Sequence, residues 1–226
     1  AISVAAFKSL PFDPVKDFEP VSMVGTFDLV FAVNSESEYK TLGDFIKAAK
    51  AQPGKLNIGT IAVGGTQNLG AELFKSMADL NVQIVPYKNS PDIVVALLRN
   101  DVQMQVDFPP AVQGQVNDGK IRVLATSSPQ PSPLLKGIST VDQAGVKGFE
   151  VISWNAIGVP KGTPKEVITT MNKAMHEVLA MPDVKEQFAK VGVLAHASSP
   201  DEMMSRLTGD IKKWNAVIDK AGIERK

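Results

Sequence analysis

The residue types best placed to do chemistry lie between 63 and 74, VGGTQNLGAELF, where a Gly-rich turn runs straight into an amphipathic stretch. A helix starting there leaves backbone N–H groups unpaired beside the positive end of its dipole, a seat suited to a carboxylate or phosphate. Gly64 and Gly65 carry the turn. Thr66 can cap the helix, and Gln67 and Asn68 offer neutral amides near the exposed donors. Neutral donors hold an anion without a desolvated cation beside it. The same pattern also describes an ordinary strand-to-helix turn that binds nothing, and both readings stand. A nucleotide cradle is excluded, because the chain has neither a complete G-x-G-x-x-G nor a P-loop Lys followed by Ser or Thr.

Two further clusters follow strand-like runs. Asp107 ends the run 102–106, next to Phe108, Pro109 and Pro110. In a parallel α/β sheet the strand C-termini gather at one rim and commonly supply a ligand crevice. Asp107 can accept from a ligand hydroxyl or ammonium, or it can cap the helix that follows. Tyr87, Lys88, Asn89 and Ser90 form the next strand-to-helix turn, with Lys88 an attractor for a carboxylate or a plain solvated cation, Tyr87 a phenolic donor and Ser90 a cap. Trp154 either packs in a core or lines a cleft.

Enzymatic constellations are scarce. His176 falls inside a helical run and His196 in a later loop, without H-E-x-x-H spacing, and there is no G-x-S-x-G turn. Asp13, Asp17 and Glu19 lack the spacing of a calcium loop. The absence of cysteine excludes disulfides, thiolate nucleophiles and Cys-ligated metals. No metal or cofactor is expected. The 226 residues are 44% hydrophobic and carry 24 basic and 24 acidic side chains. Such a chain can bury one substantial core or two modest ones, and it has no basic excess to hold nucleic acid or an anionic membrane. No apolar run is long enough to span a bilayer, and the opening does not resemble a signal peptide.

These residues need strands alternating with helices to position them. The first 27 residues are weakly periodic, with Pro11, Pro14 and Pro20 breaking any long element. Strands are expected at 28–33, 56–60, 82–86, 102–108 and 121–127. Between them come helices capped by Thr41, running from about 66 to 79, starting near Ser90, and at 110–117. After a Pro- and Gly-containing connection at 128–149 comes EVISWNAIGVP, then two helices with matched start signals, Thr163-Pro164-Glu166 and Ser199-Pro200-Glu202. The stripe Val167, Ile168, Met171, Met175, Val178 and the stripe Met203, Leu207, Ile211, Trp214, Ile218 are expected to bury against a sheet, with a short helix at 181–192 between them. The result is two α/β lobes with mostly parallel sheets: 1–30 in the first lobe, 31–153 forming the second, and 154–226 returning to the first.

Several stretches together resemble the Bug or TctC family of extracytoplasmic solute receptors in tripartite tricarboxylate transport. They are LPFDPVKDFEPVSMVG at 10–25, LGAELFK at 69–75, VPYKNSPDIVVALL at 85–98, GKIRVLATS at 119–127, SWNAIGVPKGTPKEV at 153–167 and SPDEM at 199–203. The resemblance covers nearly the whole chain. It implies a two-lobed periplasmic clamp that binds a small organic acid between its lobes and hands it to membrane permease subunits, a monomer when complete. A ligand loop is implied at Gly64, Gly65, Thr66, Gln67 and Asn68, with Tyr87, Lys88 and Asp107 at further family positions. Many relatives have His where this chain has Asn68. Relatives also begin with an additional segment carrying a first Gly-rich loop, so the resemblance implies a first lobe lacking its N-terminal part. The alternatives are a small-acid hydrolase or lyase using Asp107 and a histidine, and a truncated fragment with little ligand affinity.

Overall fold

A computed structural model describes residues 1–225. Backbone contacts divide the chain into two units, one made of Ala1–Phe27 with the chain from Ser153 onward, the other of Asp28–Ile152. The first unit opens with α1 (Ile2–Ala6) and β1 (Phe18–Asp28). β1 is an eleven-residue strand where the prolines led us to expect no long element. Pro20 lies outside the ladder with β8, described below, which pairs only with Gly25 and Thr26.

The second unit contains β2 (Val30–Asn34), α2 (Leu42–Ala51), β3 (Asn57–Ile61), α3 (Thr66–Met77), β4 (Gln83–Tyr87), α4 (Ser90–Leu98), β5 (Met104–Asp107), α5 (Pro109–Asn117) and β6 (Ile121–Thr126). Its sheet runs in the order β4-β3-β5-β2-β6. β3 pairs in parallel with β4 and β5, as alternating strands and helices require, whereas β2 is antiparallel to both β5 and β6. The sheet is therefore mixed. Alternation fixes the direction only of strands that a helical crossover places side by side, and β2 lies beside strands that follow it much later in the chain.

Period-two alternation along β2 serves two cores. Phe31 meets Phe74 of α3 and Phe149, with ring centroids 5.0 and 5.8 Å away. Val30 and Ala32 join Val94, Leu97, Val112 and Ile121 in a separate buried cluster with α4, α5 and β6. Burying each large side chain contributes about 2 kcal/mol, so both faces of the sheet hold it in place. Gly70 lets α3 sit close to the residue that leads into β2, since a Cβ there would come within 2.7 Å of Leu29 Cδ1.

The chain then returns through β7 (Ile152–Pro160), α6 (Lys165–Ala180), α7 (Pro182–Lys190), β8 (Leu194–Ala195) and α8 (Pro200–Ala221), completing a sheet of order β7-β1-β8. α8 has the Ser199–Glu202 capping box read from the sequence, and it buries Met203, Leu207, Trp214 and Ile218. Two expectations for α6 fail. Its N-cap is Pro164 without a side-chain cap bond, because the Thr163 hydroxyl donates instead to Pro160 O at 2.7 Å. No residue of its expected apolar stripe is buried: Ile168, Met171 and Met175 are half-buried, Val167 and Val178 are exposed by 44% and 46%, and the buried residue of the helix is Leu179, outside the stripe. Trp154 is half-buried and donates to Asp210 at 2.6 Å, an acid that also accepts from Arg206 at 3.1 Å.

Candidate functional site: three helix N-termini on one sheet rim

Because β3, β4 and β5 are mutually parallel, the N-termini of α3, α4 and α5 open at the same rim of the second unit. α3 begins at Thr66 with Gly65 as its N-cap, and no side chain caps it. Thr66 is thus the first helical residue, and its hydroxyl does not perform the capping role expected of it. The turn is built on Gly64, whose φ of +81° lies in the left-handed region that glycine adopts without strain. Two donors of the loop are consumed internally: Gly65 N–H bonds Ala62 O at 3.0 Å, and Gly64 N–H bonds Asn68 Oδ1 at 3.0 Å. The first intrahelical bond is Leu69 N–H to Gly65 O at 2.9 Å. Among the described residues no protein group accepts from the N–H groups of Thr66, Gln67 and Asn68.

Those three consecutive donors are braced from beneath. Asn68 is 3% exposed; its Oδ1 serves Gly64 and its Nδ2 donates to Thr60 Oγ1 at 3.4 Å, so the amide ties the loop to β3. Gln67, 4% exposed, donates through Nε2 to Asp107 Oδ1 at 3.1 Å. Asp107 is 1% exposed and ends β5; its Oδ1 also accepts from Phe108 N–H at 2.8 Å and its Oδ2 from Gln105 Nε2 at 3.4 Å. Each donor that Asp107 receives fills a lone-pair direction of its carboxyl oxygens. Asp107 is consequently a buried anchor for Gln67. It does not cap α5, whose N-cap is Phe108. Thr60 and Gln105 were not singled out in the sequence. Gln105 could have been found, since it stands two residues before Asp107 and therefore on the same face of the strand. Its Oε1 is buried without a hydrogen-bond partner among the described residues.

Tyr87 and Lys88 are at the same rim but differently engaged. Tyr87 packs beside the buried cluster of α4 and α5, close to where Gly59 lacks a Cβ. Burial, aided by the charge of Asp101, raises its pKa and keeps the phenol protonated. Lys88 is exposed. No hydrogen bond among the described residues joins either residue to Gln67, Asn68 or Asp107. α4 is capped by Asn89, whose Oδ1 accepts from Asp92 N–H at 2.9 Å, so Ser90 is the first helical residue and not the cap. His176 and His196 belong to the other unit and are exposed. Among the described residues no group of three or more His, Cys, Asp or Glu side chains is arranged to hold a metal ion.

Two α/β units between which the chain crosses, with uncapped donors at the rim of one sheet, define a two-lobed binding fold of the periplasmic type. An R. palustris protein solved with adipate superposes with a TM-score of 0.82 at 29% identity, covering 98% of this chain and 75% of that one. A structure described as a periplasmic transporter gives 0.82 at 28% identity over 100% of this chain and 76% of the other. The family described as the tripartite tricarboxylate transporter family receptor matches residues 2–223, and the chain belongs to it. Protein BugT of Bordetella pertussis is 30% identical over the whole chain, which spans 69% of BugT. A Pseudomonas protein encoded in the tcbD-tcbE intergenic region is 27% identical over 94% of the chain and 63% of its own length.

Proposed function

We propose that this chain is a periplasmic receptor that captures a small organic carboxylate, without covalent chemistry, for delivery to the membrane permease of a tripartite transporter. The observation that carries the reading is the set of three unpartnered N–H groups at the first turn of α3, with no acidic residue in that turn. Hydrogen bonds from such donors to a charged oxygen contribute about 1.5–3 kcal/mol each, and the helix dipole adds to them. The carboxylate takes the N–H groups of Thr66, Gln67 and Asn68. Gly64 shapes the turn, Gly65 supplies the N-cap carbonyl, and Asp107 locks Gln67 from behind. Lys88 contributes long-range attraction alone, and Tyr87 a neutral phenol near the rim. The relative solved with adipate supports a short-chain acid as the class of ligand.

Native mass spectrometry of the full chain with a panel of dicarboxylic, tricarboxylic and aromatic acids tests this reading. Retention of an intact acid is expected. Release of a chemically altered product, or no retention of any acid in the panel, counts against it.

A further inference from the structure

α5, β6 and the loop around 134–138 line an open cavity of about 520 Å³ that reaches Pro109 at the start of α5. This lies within the range of roughly 300–1,000 Å³ typical of small-molecule sites. Much of its wall is apolar, with Val112 and Val116 from α5, Val123 from β6, and Leu134, Leu135 and Ile138 from the loop. Ser35 and Gln113 add neutral polar groups, and two cations, Arg122 and Lys136, also line it; no Asp or Glu is among these residues. Arg122 reaches a backbone carbonyl, Tyr39 O, at 3.5 Å, and neither cation has a carboxylate partner among the described residues.

We infer that this cavity is a second binding site, for a monocarboxylate with an apolar tail. Val116, Val123 and Leu135 are only partly buried and pack on the fully buried cluster of Val30, Val112 and Ile121. An alkyl or aryl tail laid over them removes their remaining surface from water, which is the favourable term in occupancy. The carboxylate then pairs with Arg122, whose planar fork suits two oxygens, and with Lys136. A short dicarboxylate does not fit this lining, since its second charge would be buried against valine and leucine. The lining therefore disfavours short dicarboxylates, and the site stands whether or not the α3 rim binds an acid.

Octanoate is a direct probe. Calorimetry on the full chain is expected to give saturable one-site binding. Val116→Trp, which fills the cavity, and Arg122→Gln with Lys136→Gln, which removes the charge, are each expected to weaken binding about tenfold or more. Circular dichroism reports whether these variants fold. A diazirine-tailed octanoate on the unaltered chain is expected to label residues 112–138, which requires no substitution. Absence of saturable binding, binding unchanged in Val116→Trp, labelling elsewhere, or loss of octanoate binding in Thr66→Pro would each overturn the inference.

Discussion

The first turns of α3 and α5 leave adjacent parallel strands at the same rim, yet they are chemically opposite. α5 opens with Pro109 and Pro110, so two N–H groups that a helix N-terminus usually presents do not exist, and its third residue, Ala111, donates to Phe108 O at 3.0 Å. α3 opens with Thr66, Gln67 and Asn68, all of whose N–H groups are unpartnered among the described residues. α4 is a third case, with Asn89 accepting from the first turn and Asp92 adding negative charge to it. A helix dipole alone therefore does not make an anion site. What matters is whether the first-turn donors are removed, satisfied by the protein, or left open, and here one rim displays all three outcomes.

The largest effect is expected at Gly64. Its φ of +81° is costly for a β-branched residue, about 1–2 kcal/mol or more, and a shift there also releases the bond to Asn68 that holds the loop. Gly64→Val should lower acid affinity by about a hundredfold together with a measurable loss of stability, if roughly two of the three donors are misaligned. Gly65→Val acts by a different route. Gly65 has an ordinary extended backbone, and a Cβ would press to 3.2 Å of Ala62 O. Titration calorimetry beside a thermal melt separates the two, and unchanged affinity in a folded Gly64→Val would remove the proposed seat.

Thr66→Pro makes α3 resemble α5. Gly65 already has ψ of 167°, close to what a residue before proline prefers, and proline is favoured at the first helical position, so the helix should survive. One donor is deleted, and affinity should fall about tenfold or somewhat more, the worth of one hydrogen bond to a charged oxygen. A Thr66→Ser control keeps the donor and should bind normally. Asn89→Ala supplies the reciprocal result: it removes a satisfied cap from α4, costing about 1 kcal/mol of stability with acid affinity unchanged. If Asn89→Ala instead weakens binding as much as Thr66→Pro, the contrast between the helices does not govern recognition.

The elements of this unit were legible because their signals are local. Thr41 caps α2 through a complete capping box with Asp44, Pro91 stands in the first turn of α4, and the α3 turn lies where its glycines put it. The partners that hold the site were less legible because they come from other strands. Nothing in TQNLG reveals that Asn68 reaches back to Thr60 and Gly64, or that Gln67 reaches Asp107, forty positions away. The misreadings have the same origin. Thr66, Ser90 and Thr163 are all good capping residues by type, but a hydroxyl caps only when its residue adopts the N-cap conformation, and here Gly65, Asn89 and Pro164 occupy that position. The stripe of α6 shows a limit of another kind, since periodicity states that a face is apolar without stating what covers it.

Lys88 defines the lower end of the scale. By residue type it is the most obvious partner for an acid in this rim, whereas the main-chain donors of α3 are invisible in composition. Its side chain is exposed, in a turn where α4 is already capped by Asn89, and no hydrogen bond or ion pair among the described residues ties it to the α3 loop. An exposed charge acts through water and salt, and beyond about 8 Å at physiological ionic strength its attraction is largely screened. Lys88→Ala should therefore change acid affinity by less than about threefold at physiological salt. The small loss should appear in the association rate and vanish as salt rises, because long-range steering is what a screened surface cation supplies. Stopped-flow association across a salt series reads this directly. A tenfold loss that persists at high salt would mean that the ammonium touches the ligand, and would transfer part of the recognition from the backbone of α3 to a side chain of the neighbouring turn.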